Sequence, residues 1–201
     1  FRFGVRKPCK VGYGLENPLE NYSCDWMRPS IGALFSIYSK DHPAYLFEAL
    51  WSLLRRQTVP VHATVGVIEG PIGIELEAIV AEFHEVVWIR IPRTQQPSGF
   101  GLPEALNQGL KELTTDIVLK VDTDDINAEN RVSETLKAFV DCPELVLFGS
   151  QVQEWDSGFK QCYGRRSVPS DSSAIHRFAQ LRNPFNGPSV AFKRLEALEL
   201  G

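Results

Sequence analysis

The sequence predicts an α/β fold with a mostly parallel central sheet flanked by helices, on three observations. β-rich apolar runs alternate with stretches of helical spacing in units of roughly thirty residues, the pattern of strand-helix-strand crossovers. Polar residues gather where these runs end, at Ser39-Lys40-Asp41, Glu69-Gly70 and Asp122-Thr123-Asp124-Asp125, and in parallel sheets ligands bind outside the carboxyl ends of the strands. No linker, repeat or low-complexity segment interrupts residues 31–201, so they read as one core domain after a loop-rich N-terminal extension, 1–30.

Gly32 to Ser39 is the first strand. Asp41 or Ser39 is the expected cap of the next helix, where Leu46, Ala49, Leu50, Leu53 and Leu54 recur at helical spacing. His62 to Ile68 is a strand ending at Glu69-Gly70-Pro71, and Ile72 to Phe83 has an amphipathic helical pattern. Glu85 to Ile91 is a third strand, followed by a polar loop. Pro103 falls in the first turn of the next helix, where its missing N–H costs nothing, and that helix continues through Leu106 and Leu110. Asp116 to Val121 is the fourth strand, Ala128 to Val140 a helix, and Leu145 to Gly149 a strand that could extend to Gln153. Then come a strand and turn from Gln153 to Gly158, a basic loop at Arg165-Arg166, a helix from Asp171 to Leu181 capped by Ser170, and a tight loop feeding a strand at Val190 to Lys193.

Composition narrows the function classes. With 201 residues and 43% hydrophobic content the chain can bury a sizeable core. A formal charge of -4 and a pI near 5.6 argue against a nucleic-acid binder. No apolar run approaches the ~20 residues of a membrane span, and the opening residues do not form a signal peptide, so a cytoplasmic location is expected. Cys9, Cys24, Cys142 and Cys162 have neither zinc-knuckle nor disulfide-framework spacing and read as reduced thiols. The first residue is not Met, and Leu-Glu-Leu-Gly closes the chain just after a strand, so a piece of a longer protein is expected.

The chemistry concentrates at Asp122-Thr123-Asp124-Asp125. Along an extended backbone side chains alternate, which sends Asp122 and Asp124 to the same side. Clustered carboxylates repel unless a cation or protons settle them, and hard oxygen donors favour Mg²⁺ or Mn²⁺. The plainer alternative is an acidic loop in which Asp124, Asp125 or Asn127 caps the following helix.

Over residues 31–194 the chain resembles the nucleotide-sugar glycosyltransferases of family 2, which have the GT-A fold. The resemblance rests on an ordered series. It begins with Phe35-Ser36-Ile37-Tyr38, a helix bearing Ala49-Leu50, Ser52-Leu53 and Gln57-Thr58, and Val67-Ile68-Glu69-Gly70-Pro71. Gly99-Phe100-Gly101-Leu102 follows, then Ala105-Leu106-Asn107 with Gly109-Leu110, Val121 to Asp125, Arg131, and Arg182-Asn183-Pro184-Phe185-Asn186. The subgroup it resembles most builds bacterial surface polysaccharides, including exopolysaccharide and lipopolysaccharide.

That resemblance implies an inverting glycosyltransferase of hexosyltransferase type acting on a glycan or lipid-linked acceptor, with peripheral association at the cytoplasmic face of the inner membrane. It makes Asp122 and Asp124 an Asp-x-Asp motif that holds Mn²⁺ or Mg²⁺ on the diphosphate of a UDP-sugar or similar nucleotide-sugar donor. Asp125 is an alternative metal ligand, and Thr123 belongs to the same donor-binding segment. Tyr38 and Ser39 would border the base and ribose, and Glu69 stands where relatives have an Asp that contacts the base. Gly99 and Gly101 would let backbone approach the nucleotide, although a plain loop also accounts for two glycines. Asn107 is a further candidate for the donor, with packing or capping as its plainer role. Arg165 and Arg166 could meet phosphate, against the simpler reading of a solvated loop. Asn186 occupies a position where relatives often carry His. The catalytic base of the family lies in a Glu-Asp segment past the Asn-Pro-Phe-Asn loop, so it is expected beyond Gly201, and nothing in the spacing of Glu154 or Asp156 promotes either of them.

Other chemistries fit poorly. There is no G-x-S-x-G elbow, and His42, His62, His84 and His176 belong to no motif. Ile126 and Asn127 break a calcium loop. A sugar nucleotidyltransferase would carry a Gly-rich, Arg-bearing loop where Ser39-Lys40-Asp41-His42-Pro43 stands. The alternative from a different class is a non-catalytic nucleotide-sugar-binding domain related to the transferases.

Overall fold

The structure, a computed structural model, describes residues 29–92 and 101–200. Among these the chain divides into two compact units, residues 29–148 with 187–200, and residues 149–186.

The larger unit is built on a six-stranded sheet. Its strands are β1 (Ile31–Tyr38), β2 (Ala63–Glu69), β3 (Val87–Ile91), β4 (Ile117–Lys120), β5 (Leu147–Phe148) and, later in the chain, β8 (Ala191–Lys193), in the order β3-β2-β1-β4-β8-β5. β1 runs parallel to both β2 and β4, with Tyr38 beside Glu69 and Leu34 beside Lys120, while β8 pairs antiparallel with β4 and β5. The expected mostly parallel sheet is therefore present, with an antiparallel edge.

Alternation along the strands makes the two faces. Ile31, Ala33, Phe35 and Ile37 of β1, with Ile117 and Leu119 of β4, meet α1 (Pro43–Leu54), α2 (Ile74–Glu82) and α4 (Arg131–Asp141) through Leu46, Leu50, Leu53, Leu76, Ile79, Val132 and Phe139. On the other face Leu34, Val65, Val67 and Val118 meet α3 (Gly101–Glu112) through Ala105 and Leu110, and Ala197 and Leu198 of α6 (Arg194–Leu200) pack beside them. Gly109 lets α3 come down onto the sheet, since a Cβ there would lie 2.4 Å from Leu34 Cδ1.

The unit of residues 149–186 holds a two-stranded antiparallel hairpin, β6 (Val152–Trp155) and β7 (Cys162–Arg166), and the short helix α5 (Ser172–Ala179). Asp156 turns the hairpin, its Oδ1 accepting from Lys160 N at 2.6 Å and Gln161 N at 2.8 Å.

Several boundaries differ from the sequence reading. His42 is the N-cap of α1, without a side-chain bond, and Pro43 begins the helix; Asp41 instead accepts from Tyr38 N at 2.7 Å. α4 starts at Arg131 with Asn130 as N-cap, so Asp124, Asp125 and Asn127 do not cap it. α2 begins at Ile74 after Gly73. β5 has two residues and does not continue into β6, because Gly149, Ser150 and Gln151 intervene. Arg165 and Arg166 lie on a strand, not in a loop. Asp171, not Ser170, caps α5, its Oδ1 accepting from Ala174 N at 2.8 Å. The chain also continues past β8 into α6, which the sequence reading left out. Among the described residues no helix is long and apolar enough to cross a membrane.

Candidate active site

A cleft of about 300 Å³ lies at the carboxyl ends of β1, β2 and β4, inside the larger unit. Ser36 and Tyr38 reach it from β1, Glu69 from the end of β2, Leu102 and Leu106 from α3, and Lys120 to Asp124 from β4 and the loop after it; Asp41 closes one side. The polar strand ends singled out from sequence thus converge on one hollow.

The acidic loop is fixed from below. Asn127 is buried, and its backbone N and Nδ2 donate to Ser52 Oγ of α1 at 2.9 and 3.0 Å. Gln57 bridges the same two elements: Nε2 donates to Ala128 O at 2.8 Å and Oε1 accepts from Val132 N at 3.1 Å. Arg131, beneath the loop, donates through Nη2 to Lys120 O and Pro188 O, each at 2.7 Å, and through Nη1 to Asn127 Oδ1. The β4–α4 loop therefore rests on α1, on α4 and on the 3-10 turn Gly187–Ser189.

The site's electrostatics follow from crowding of like charge. Asp125 still touches solvent, yet atoms packed behind it, and then the charges of Asp124 and Asp122, raise its carboxyl pKa; Arg131 and Lys120 oppose that shift. Asp41 is raised chiefly by burial, against the bonds from Tyr38 N and Thr123 Oγ1, with Asp124 adding to the rise. Burial brings Arg131 down to about 10, opposed by Asp122 and Asp125, so it stays cationic at neutral pH. Lys120 Nζ donates to Asp122 Oδ1 in an ion pair.

Of the residues expected to bind the donor, Tyr38, Glu69, Asp122, Thr123 and Asp124 line the cleft. Gly101 stands beside it as the first residue of α3, its would-be Cβ only 2.6 Å from Glu69 Oε2. Ser39 is exposed in the turn after β1 and does not line the cleft. Asn107 faces an adjoining apolar pocket of about 290 Å³, which shares Leu102, Leu106 and Lys120 with the cleft. Asp125 follows the lining residues, its N donating to Asp122 O at 3.4 Å. Gly99 lies outside the described residues. Lys120 was not singled out from sequence, although a lysine closing an otherwise apolar strand was a visible signal, and Asp41, one of the polar strand-end residues, lines the cleft where a helix cap was expected.

Arg166 pairs with Glu154 across the hairpin, while Asp156 is engaged in the hairpin turn. Asn186, in the smaller unit, donates from Nδ2 to Ser150 O at 3.0 Å and Arg166 O at 3.3 Å, a buried strut.

Divalent-cation chemistry fits the donor set of the cleft, where Asp122 and Asp124 supply hard oxygens on one side. Among the described residues no three His, Cys, Asp or Glu side chains converge enough to hold a metal by themselves.

Comparison with known proteins identifies the family and the fold. The profile of a family described as "Glycosyl transferase family 2" matches residues 37–198. The amylovoran biosynthesis glycosyltransferase AmsE of Erwinia amylovora is 33% identical over 168 residues, covering 84% of this chain and 61% of that one. The Escherichia coli UDP-Gal:alpha-D-GlcNAc-diphosphoundecaprenol beta-1,3-galactosyltransferase is 30% identical over 173 residues, covering 86% and 62%. The chain thus spans about 60% of the length of these curated relatives. Among solved structures, the mannosyltransferase PcManGT from Pyrobaculum calidifontis, in complex with GDP-Man and Mn²⁺, superposes with a TM-score of 0.58 at 19% identity, covering 87% of this chain and 47% of that one. At that identity the likeness speaks for the fold alone.

Proposed function

The chain belongs to glycosyl transferase family 2 and has the GT-A fold, and from that premise we propose that it transfers a sugar from a nucleotide-diphosphate donor to a polysaccharide or lipid-linked acceptor, with inversion. The observation that carries this reading is the convergence of Tyr38, Glu69, Asp122, Thr123 and Asp124 on one cleft at the carboxyl edge of the parallel strands. A UDP-sugar is the favoured donor, in keeping with the E. coli relative's name.

In this reading Tyr38 borders the base and ribose, Glu69 accepts a hydrogen bond from the base, and Asp122 and Asp124 hold Mn²⁺ or Mg²⁺ against the diphosphate. A cation bound there offsets the negative charge that grows on the departing nucleoside diphosphate. Leu102 and Leu106 give the cleft an apolar wall that keeps water from one side of the donor. The base that deprotonates the acceptor hydroxyl is assigned to no residue of this chain. The acceptor reading places the protein in the cytoplasm, at the membrane face where lipid-linked sugars are presented.

Calorimetric titration with UDP tests the site. Binding is expected with Mn²⁺ or Mg²⁺ and not with chelator, and Asp124→Ala should remove the metal dependence. Equal binding of UDP in chelator and in Mn²⁺ would sink the metal-held donor. Nucleoside diphosphate release from a panel of sugar donors, with and without acceptor glycan, then identifies the sugar.

A further inference from the structure

Lys120 is the only charged residue of β4, and both sides of its backbone are tied down. Its N donates to Val190 O at 2.9 Å and its carbonyl accepts from Arg131 at 2.7 Å. With period-two alternation its side chain and that of Asp122 leave the chain on the same side, and the two form an ion pair whose side chains are 21% and 33% exposed. Lys120 also borders both the acidic cleft and the apolar pocket beside it. The cation already meeting Asp122 is therefore one that the chain itself supplies.

We propose that Lys120 is a built-in counter-ion, which neutralises Asp122 until a divalent cation takes that carboxylate and then turns to the diphosphate of the donor. The inference rests on the reading above that Asp122 and Asp124 hold the cation. Its physical basis is competition: an ammonium beside a carboxylate repels a divalent ion approaching the same group. A lysine suits the exchange because its point charge sits on a flexible four-carbon stem, whereas an arginine fork is held by planar bidentate geometry. Once released, the ammonium can rotate about its fixed backbone and meet phosphate oxygens, a partner lysine binds as a point charge. A plain structural ion pair makes a different forecast, because its loss would leave UDP affinity at saturating Mn²⁺ unchanged.

The test uses the full chain with Lys120→Met, and with Lys120→Gln as a second variant in case the apolar side chain perturbs folding. Mn²⁺ affinity is measured by calorimetry without nucleotide, and UDP affinity at saturating Mn²⁺. The expected pair of results has opposite signs: Mn²⁺ binds roughly three- to tenfold tighter, and UDP binds weaker by a similar factor. Unchanged or weakened Mn²⁺ binding in both variants overturns the counter-ion role, and so does unchanged UDP affinity. A wild-type chain that binds UDP equally in Mn²⁺ and in chelator overturns the metal reading itself, which separates that failure from this one.

Discussion

Gly101 and Glu69 are placed so closely that a Cβ on the glycine would lie 2.6 Å from Glu69 Oε2. The first turn of α3 thus abuts the carboxylate that ends β2, and only a residue without a side chain leaves Glu69, 9% exposed, where it lines the cleft. Gly101→Ala is expected to push that carboxylate aside. The atom displaced is the end of a flexible side chain, so thermal stability should fall little, by about 1 kcal/mol or less. UDP affinity should fall several-fold. Parallel melting curves and UDP titrations check this, and a large loss of stability with unaltered UDP binding would contradict it.

Asp116, at the other end of β4, carries a pH dependence. Its Oδ2 accepts from Ser30 Oγ at 2.7 Å and Ser30 N at 2.8 Å, and these bonds, the side-chain one foremost, hold its pKa below the ordinary value of 3.8. A carboxyl whose folded pKa is depressed contributes stability above its unfolded pKa and loses it as pH falls through the folded value. Asp116→Asn should therefore lower the melting temperature near neutral pH. The gap from wild type should narrow progressively as pH falls below about 4, through the depressed folded value. Because the carboxylate is exposed, the effect is modest, and a gap of constant size across that range would show that the bond does not depend on charge.

The legible parts of the molecule were those where local pattern and tertiary role coincide. β4 could be read because an apolar run ends abruptly in acids, and α1 because Leu46, Leu50 and Leu53 repeat at helical spacing and all face one core. β7 could not, since an exposed hairpin has no buried face to impose alternation and Arg165-Arg166 reads as a loop. α6 was invisible because seven residues that follow a strand directly carry too little periodicity. The start of α4 moved for a tertiary reason. Asn127, a good cap by type, has its amide committed to Ser52 Oγ, and Asn130 takes the cap position instead. Tyr38, Glu69, Asp122, Thr123 and Asp124 line one cleft because they sit at or just past the carboxyl ends of neighbouring strands, which the sequence showed. Lys120 lines it too, and its mark in the sequence, a charge closing an apolar strand, does not name its partner Asp122.

Arg131 likewise finds its partners only in the fold, and its removal should be the most damaging change near the site. One guanidinium joins Lys120 O, at the end of β4, to Pro188 O in the 3-10 turn and to Asn127 Oδ1 in the acidic loop. Arg131→Met fills much of the space but leaves those acceptors without their donor and removes the half-buried charge that Asp122 and Asp125 stabilise. Losing the shared donor of such a half-buried network costs about 1–3 kcal/mol. Arg131→Lys keeps the charge, yet a single ammonium cannot reproduce the planar fork, so it should recover only part of the loss. Urea denaturation of the two variants measures the cost. The order of midpoints should be wild type, then Lys, then Met, and a Met variant as stable as wild type would show that the acidic loop holds its place without this clamp.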